Sequence, residues 1–206
     1  MKKTITSIFA LAAVLFFTSC EDETQIVRSN YALDEENSVA VWKGYSPVLF
    51  HDGSFSVTSQ DIKVENGIVT GGTFTIPIAS IKNFDLPADI KPVLLNHLKS
   101  PDFFNMALYP NATFNITEVK PLASPTAGAV EGANFAVKGD FTMLGQTQSL
   151  SFPAKIVLAG GKADIEAAFK LDRTKWGMNY AADPALGDHH VLPEVDIRLD
   201  LTGYQL

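Results

Sequence analysis

One cysteine in 206 residues excludes an internal disulfide and any thiolate-rich zinc site. Charge is sparse as well. Only 19% of residues are Asp, Glu, Lys or Arg, and no run of one sign marks a long solvated tail. A formal net charge of −7 leaves no basic excess for a phosphate backbone, so no nucleic-acid partner is expected. Catalytic signatures are missing too: there is no Gly-x-Ser-x-Gly elbow, no phosphate loop and no His-Glu-x-x-His. The glycines stand in turn-like pairs and not between a strand and a helix, which leaves no nucleotide cradle. Neither an enzyme nor a cofactor is expected.

Four histidines, His51, His97, His189 and His190, are the remaining candidates for metal chemistry. Asp188-His189-His190 and His51-Asp52 each offer oxygen and nitrogen ligands. Neighbours on a strand point to opposite faces, and Gly187 and Pro193 put the His189-His190 pair in a loop. An exposed loop pair is the simpler account, and no metal is expected.

The N-terminus has its own pattern. Lys2-Lys3 precedes an apolar stretch from Ile5 to Phe17, too short to span a bilayer comfortably, and reads as a signal peptide over residues 1–19. Phe17-Thr18-Ser19-Cys20 resembles a bacterial lipobox. That resemblance implies cleavage before Cys20, a diacylated thiol and an acylated new amine, hence a membrane partner. More than one acyl chain gives stable anchoring, whereas a single chain gives marginal binding. Removing Lys2 and Lys3 moves the net charge from −7 to −9. Residues 20–30 then read as the lipidated cysteine and a short polar tether. Its acidic start, Glu21-Asp22-Glu23, resembles the surface-export signal of some Gram-negative lineages. The expected location is the Gram-negative outer membrane, on its periplasmic or surface face.

From there on the dominant signal is period-two alternation, which marks strands with one buried face. The C-terminus is the cleanest case: Val195, Ile197, Leu199 and Leu201 alternate with Asp196, Arg198, Asp200 and Thr202. Such runs predict about eight strands, near residues 31–43, 54–65, 68–82, 111–121, 133–143, 147–159, 162–173 and 194–205. Asn66-Gly67, Gly71-Gly72, Leu144-Gly145 and Gly160-Gly161 supply turns between them. Strands at this spacing with one polar face fit an antiparallel barrel or sandwich, and closure favours the barrel by removing exposed edges. Residues 90–104 are the exception. Pro92 opens a short helix carrying Val93, Leu94, Leu95 and Leu98, and Pro101 stops it before a turn at Asp102-Phe103-Phe104.

The inward rows are rich in phenylalanine: Phe55, Phe74, Phe114, Phe135, Phe141, Phe152 and Phe169. Ile76, Ile116 and Val137 extend these rows on their strands, as do Ile156, Ile165 and Ala167 on theirs. Ile197 and Leu199 come from the last strand, and Leu94, Leu98 and Phe103 from the helical insertion. An eight-stranded barrel is about wide enough to hold side chains alone or one small ligand. A water-poor pocket for a long apolar ligand and a core packed shut both fit such an interior. His97, Lys99 and Asp102 flank the apolar helix and are candidates to contact a head group or to cap the helix.

Several segments, taken in order, carry a family resemblance. His97-Leu98-Lys99-Ser100-Pro101-Asp102-Phe103-Phe104 is followed by Tyr109-Pro110 and Phe114. Later come Gly139-Asp140-Phe141-Thr142-Met143-Leu144-Gly145-Gln146-Thr147 and Arg173-Thr174-Lys175-Trp176-Gly177. Together they resemble the YceI family over residues 31–206. The resemblance implies an all-β, eight-stranded antiparallel lipocalin-like barrel that binds a polyisoprenoid lipid in its cavity. By resemblance, a homodimer is a further expectation. Asp140-Phe141 departs from the family pattern, where a small residue and leucine are commoner, as does the long 183–193 segment.

Overall fold

The computed structural model describes residues 25–124 and 126–206. Cys20 and the signal peptide expected over residues 1–19 lie outside the described residues. Eleven strands form one antiparallel sheet: β1 (Arg28–Leu33), β2 (Val39–Tyr45), β3 (Phe50–Ser56), β4 (Ile62–Glu65), β5 (Ile68–Pro77), β6 (Lys82–Asn83), β7 (Asn111–Pro121), β8 (Phe135–Met143), β9 (Gln146–Ala159), β10 (Lys162–Asp172) and β11 (Glu194–Gln205). Among the described residues one α-helix, α1 (Lys91–Lys99), interrupts them.

The sheet closes because β11 meets both β1 and β2. Its far half pairs Tyr31 with Gln205 and Leu33 with Gly203, and its near half pairs Ala40 with Leu199 and Trp42 with Ile197. β1 and β2 therefore share one position in the wall. The same holds for β3 and β4, which pair with β2 and β1 respectively. Counted by wall position, the molecule is a closed eight-stranded antiparallel barrel.

The long strands expected at 31–43, 54–65 and 68–82 are each interrupted. Between β1 and β2 the Asp34 carboxylate accepts from the N–H groups of Glu36 and Asn37, forming a local turn inside the wall. Ser38 repairs the ladder there: its Oγ donates to the Thr202 carbonyl and accepts from the Thr202 N–H, both at 3.1 Å. β1 also begins earlier than expected. Arg28 to Asn30, inside the 20–30 stretch expected as a tether, pair with β4.

Asn66-Gly67, Leu144-Gly145 and Gly160-Gly161 all take positive φ and close tight hairpins, as their chemistry predicts. Gly71-Gly72 does not make a turn. The pair lies within β5, opposite a register shift at Lys63/Val64, where Gly72 passes close to the Ile62 backbone. Gly139 has a packing reason: a Cβ there would lie 2.5 Å from the Phe114 ring.

Strand direction gives the barrel two unlike ends. The base carries the 66–67 and 160–161 turns and a tightly packed cluster that includes Tyr31, Leu33, Ile62, Val64, Val69 and Leu201. The opposite end, the mouth, collects the β2–β3 loop, the 78–110 insertion and the 173–193 segment. A second cluster around Trp42, Phe55, Ile81, Phe103, Trp176 and Met178 packs there.

Candidate functional site

Alternation aims every second side chain inward, and eight strands leave a gap that these side chains do not fill. The result is a cavity of about 510 Å³. Along β11, Val195, Ile197, Leu199 and Leu201 all line it, a span of seven residues and thus about 20 Å along the strand. Aromatic rings shape the middle. Phe152 stacks on Phe169 with centroids 4.4 Å apart, and Phe114 packs against Phe152 at 5.5 Å.

Of the apolar candidates, Phe55, Phe74, Ile76, Phe114, Ile116 and Val137 line this space. So do Phe141, Phe152, Ile156, Ile165, Phe169, Ile197 and Leu199 from the wall, and Leu94, Leu98 and Phe103 from the insertion. Two candidates do not. Ala167 is fully buried between Ala154 and Leu199, and its methyl is too short to reach the space. Phe135 packs instead on the cluster at the base. Residues outside the candidate set also line the cavity, among them Ala40, Trp42, Leu49, Met178 and Tyr180. Ala40 and Trp42 alternate with Val41 and Lys43, so their inward direction was written in the pattern. Met178 and Tyr180 sit in irregular chain and had no periodic signal.

The insertion covers the mouth. On α1, Leu94, His97 and Leu98 face the cavity, while Val93 is exposed. The His97 ring meets Phe103 edge-on at 5.0 Å and Tyr180 at 4.8 Å, joining α1 to the 173–193 segment. His97 Nε2 lies 3.0 Å from the Asp102 carboxylate. Lys99 and Asp102 do not line the cavity, so of the three polar candidates only His97 reaches it. The His97–Asp102 contact ties the helix to its following turn.

Arg173 organises the segment on the other side of the mouth. Its side chain is 2% exposed. The guanidinium donates to four carbonyls: Leu192 at 3.2 Å, Met178 at 2.5 Å, Tyr180 at 2.9 Å and Val191 at 2.6 Å. Burial lowers its pKa from the usual value, against the pull of the Asp172 carboxylate. One fixed fork thereby folds chain from both ends of the segment over the barrel.

Two further groups at this end have fixed protonation. Tyr45 donates to Asp196 Oδ2 at 2.6 Å, and that hydrogen bond to a carboxylate, helped by burial, pushes the phenol up to about 12. Burial raises the Asp85 carboxyl, but bonds from His51, the Asp52 N–H and Asn83 outweigh this and hold it below the usual carboxylate range. His190 is buried, not exposed as the loop reading expects, and only His189 of the pair borders the cavity. Among the described residues, no three or more His, Cys, Asp or Glu side chains gather as a metal site.

A closed eight-stranded antiparallel barrel around an apolar cavity, lidded at one end, is the architecture of a container for a small ligand. The sequence profile of the YceI-like domain matches residues 23–203, and the chain belongs to that family. A UPF0312 protein of Photorhabdus laumondii is 32% identical over 158 residues, covering 74% of this chain and 69% of that protein. A UPF0312 protein of Enterobacter sp. is 26% identical over 100% of this chain and 98% of its own. Among solved structures, BcnA of Burkholderia cenocepacia superposes with a TM-score of 0.63 at 18% identity, covering 82% of this chain and 98% of BcnA. A polyisoprenoid-binding domain from Saccharophagus degradans, implicated in plant cell wall breakdown, gives 0.62 at 10% identity, covering 85% and 98%. At those identities the two structures are like this one in fold.

Proposed function

We propose that the barrel binds one long apolar isoprenoid lipid, polyprenyl or quinone-type, and stores, carries or sequesters it at the cell envelope. The observation that supports this most is the cavity of about 510 Å³, apolar along its length and polar only at its mouth. That volume is within the range of about 300–1,000 Å³ common for ligand sites. It also argues against the alternative of a packed-shut structural or adhesive lipoprotein. Burying one methylene is worth about 0.8 kcal/mol, so a five-carbon isoprene unit gives roughly 3–4 kcal/mol before ordering costs. Several units leave useful affinity without any charged contact. The family membership and the polyisoprenoid-binding neighbour point the same way.

We further propose, on the lipobox-like Phe17-Thr18-Ser19-Cys20 alone, that acyl chains on Cys20 hold the protein at the Gram-negative outer membrane. To test the ligand, residues 21–206 are expressed without the anchor in a related host, extracted under denaturing conditions and examined for lipid by mass spectrometry. A stoichiometric isoprenoid is expected. Empty protein that also refuses added polyprenyl lipid would overturn the proposal.

A further inference from the structure

The exposed apolar side chains of the barrel are not spread evenly. The outward faces of the long strands carry ion pairs instead, such as Lys155 with Glu166 and Lys170 with Glu194. Large exposed apolar side chains stand at the two ends, and most of them at the mouth. Val48 and Leu49 come from the β2–β3 loop, Phe84, Ile90 and Val93 from the 78–110 insertion, and Leu186 from the 173–193 segment. Exposed apolar surface gathered in this way marks a contact face.

These positions border the opening of the cavity. In each of the three segments an exposed apolar residue stands at or beside one that lines the interior. Leu49 is both, being 52% exposed while it borders the cavity, and Tyr180 repeats this on the 173–193 segment. Val93, 69% exposed, precedes the lining Leu94 on α1, and Leu186 comes shortly before the lining His189. The apolar lining therefore continues onto the outside of the molecule.

Charge at this end is balanced. Residues 46–49, 78–110 and 173–193 set five Lys or Arg against five Asp, whereas the whole chain carries −7. Their histidines are His97, His189 and His190, and His97 faces Asp102. Formal neutrality gives neither strong attraction to an anionic surface nor repulsion from it, so apolar contact decides binding here. The chain enters the barrel at the base, where the Asn66 N–H donates to the Val27 carbonyl at 2.8 Å. The anchor proposed on Cys20 therefore reaches the barrel at the end away from the mouth.

A lipid of several isoprene units is nearly insoluble in water and resides in a bilayer. A carrier must either wait for rare monomers in water or touch the bilayer itself.

We propose that the mouth docks on a lipid bilayer, with Val48, Leu49, Ile90 and Val93 entering its interface, so that the isoprenoid reaches the cavity without crossing water. This inference rests on the lipid-binding reading above. The experiment uses residues 21–206, which contain every strand of the closed barrel, at neutral pH. Wild type, Val48→Asp/Val93→Asp and the base control Leu206→Asp are each floated with phosphatidylcholine vesicles. All three substituted residues are exposed, so the fold should survive, and far-UV circular dichroism checks it.

Wild type and Leu206→Asp should float alike. The double variant should bind at least about tenfold less, because two apolar side chains leave the contact. Replacing part of the phosphatidylcholine by phosphatidylglycerol should change wild-type binding by less than about twofold. Uptake of solanesol, a long polyprenyl alcohol, from these vesicles should be slower in the double variant. Solanesol added from ethanol should reach the same final occupancy in both. Equal flotation of wild type and the double variant, no flotation of wild type, loss of flotation with Leu206→Asp, or a large gain with phosphatidylglycerol overturns the inference and leaves lipid binding intact. A wild-type dimer in sedimentation velocity that the double variant abolishes, without flotation, gives the rim to a second copy instead. Failure of wild type to take solanesol by either route overturns the lipid reading, and flotation alone then decides the docking.

Discussion

Arg173 and Tyr45 show how single side chains at the mouth convert charge into shape. Arg173 donates to four backbone carbonyls, the one on Met178 in a buried bond, and the four lie in chain with little regular structure of its own. Arg173→Met should therefore lower unfolding stability by about 3 kcal/mol or more, measured by chemical denaturation. Arg173→Lys should recover part of this, because an ammonium cannot reproduce the planar fork. Tyr45 carries a pH signature. Its folded-state pKa of about 12 is above the ordinary value of 10.0, so the protonated phenol favours the fold. That contribution is complete below pH 10 and is lost as pH rises from about 10 through 12. Absorbance titration should find one tyrosine ionising near 12, and Asp196→Asn should return it toward 10.

Among the elements, α1 differs from the strands around it. It has no fully buried residue, and its cavity-facing side, Leu94, His97 and Leu98, borders empty space. A helix of nine residues is too short to be stable by propensity alone. In the empty protein the amides of Lys91–Lys99 should exchange with solvent faster than those of β9 and β10, and bound lipid should slow them. Equal protection in both states would show that the helix does not cover the ligand. This element and most strands were legible in the sequence because their signals are local: Pro92 with a leucine stripe, or alternation with a glycine turn. The breaks at Asp34–Ser38 and the internal Gly71-Gly72 were not, since a side chain that mends a ladder 164 residues away leaves no period behind. Arg173 was visible as a motif residue, but its clamp depends on carbonyls, which every residue has.

For the whole molecule, the central point is that an antiparallel wall of eight positions closes while its interior stays partly empty. The empty space is worth keeping only if something occupies it, because a cavity forfeits packing contacts that larger side chains would supply. Filling it from within should then separate stability from binding. Ile116 borders the cavity from β7 and is only half-buried, so the ring of Ile116→Trp would enter the space without displacing the wall. The decisive measurement is native mass spectrometry of the wild-type protein and this variant, each incubated with solanesol. Wild type should gain the mass of one lipid per chain, and the folded variant should gain none or about tenfold less. Equal uptake by both, or no uptake by wild type, would contradict a binding site inside the barrel.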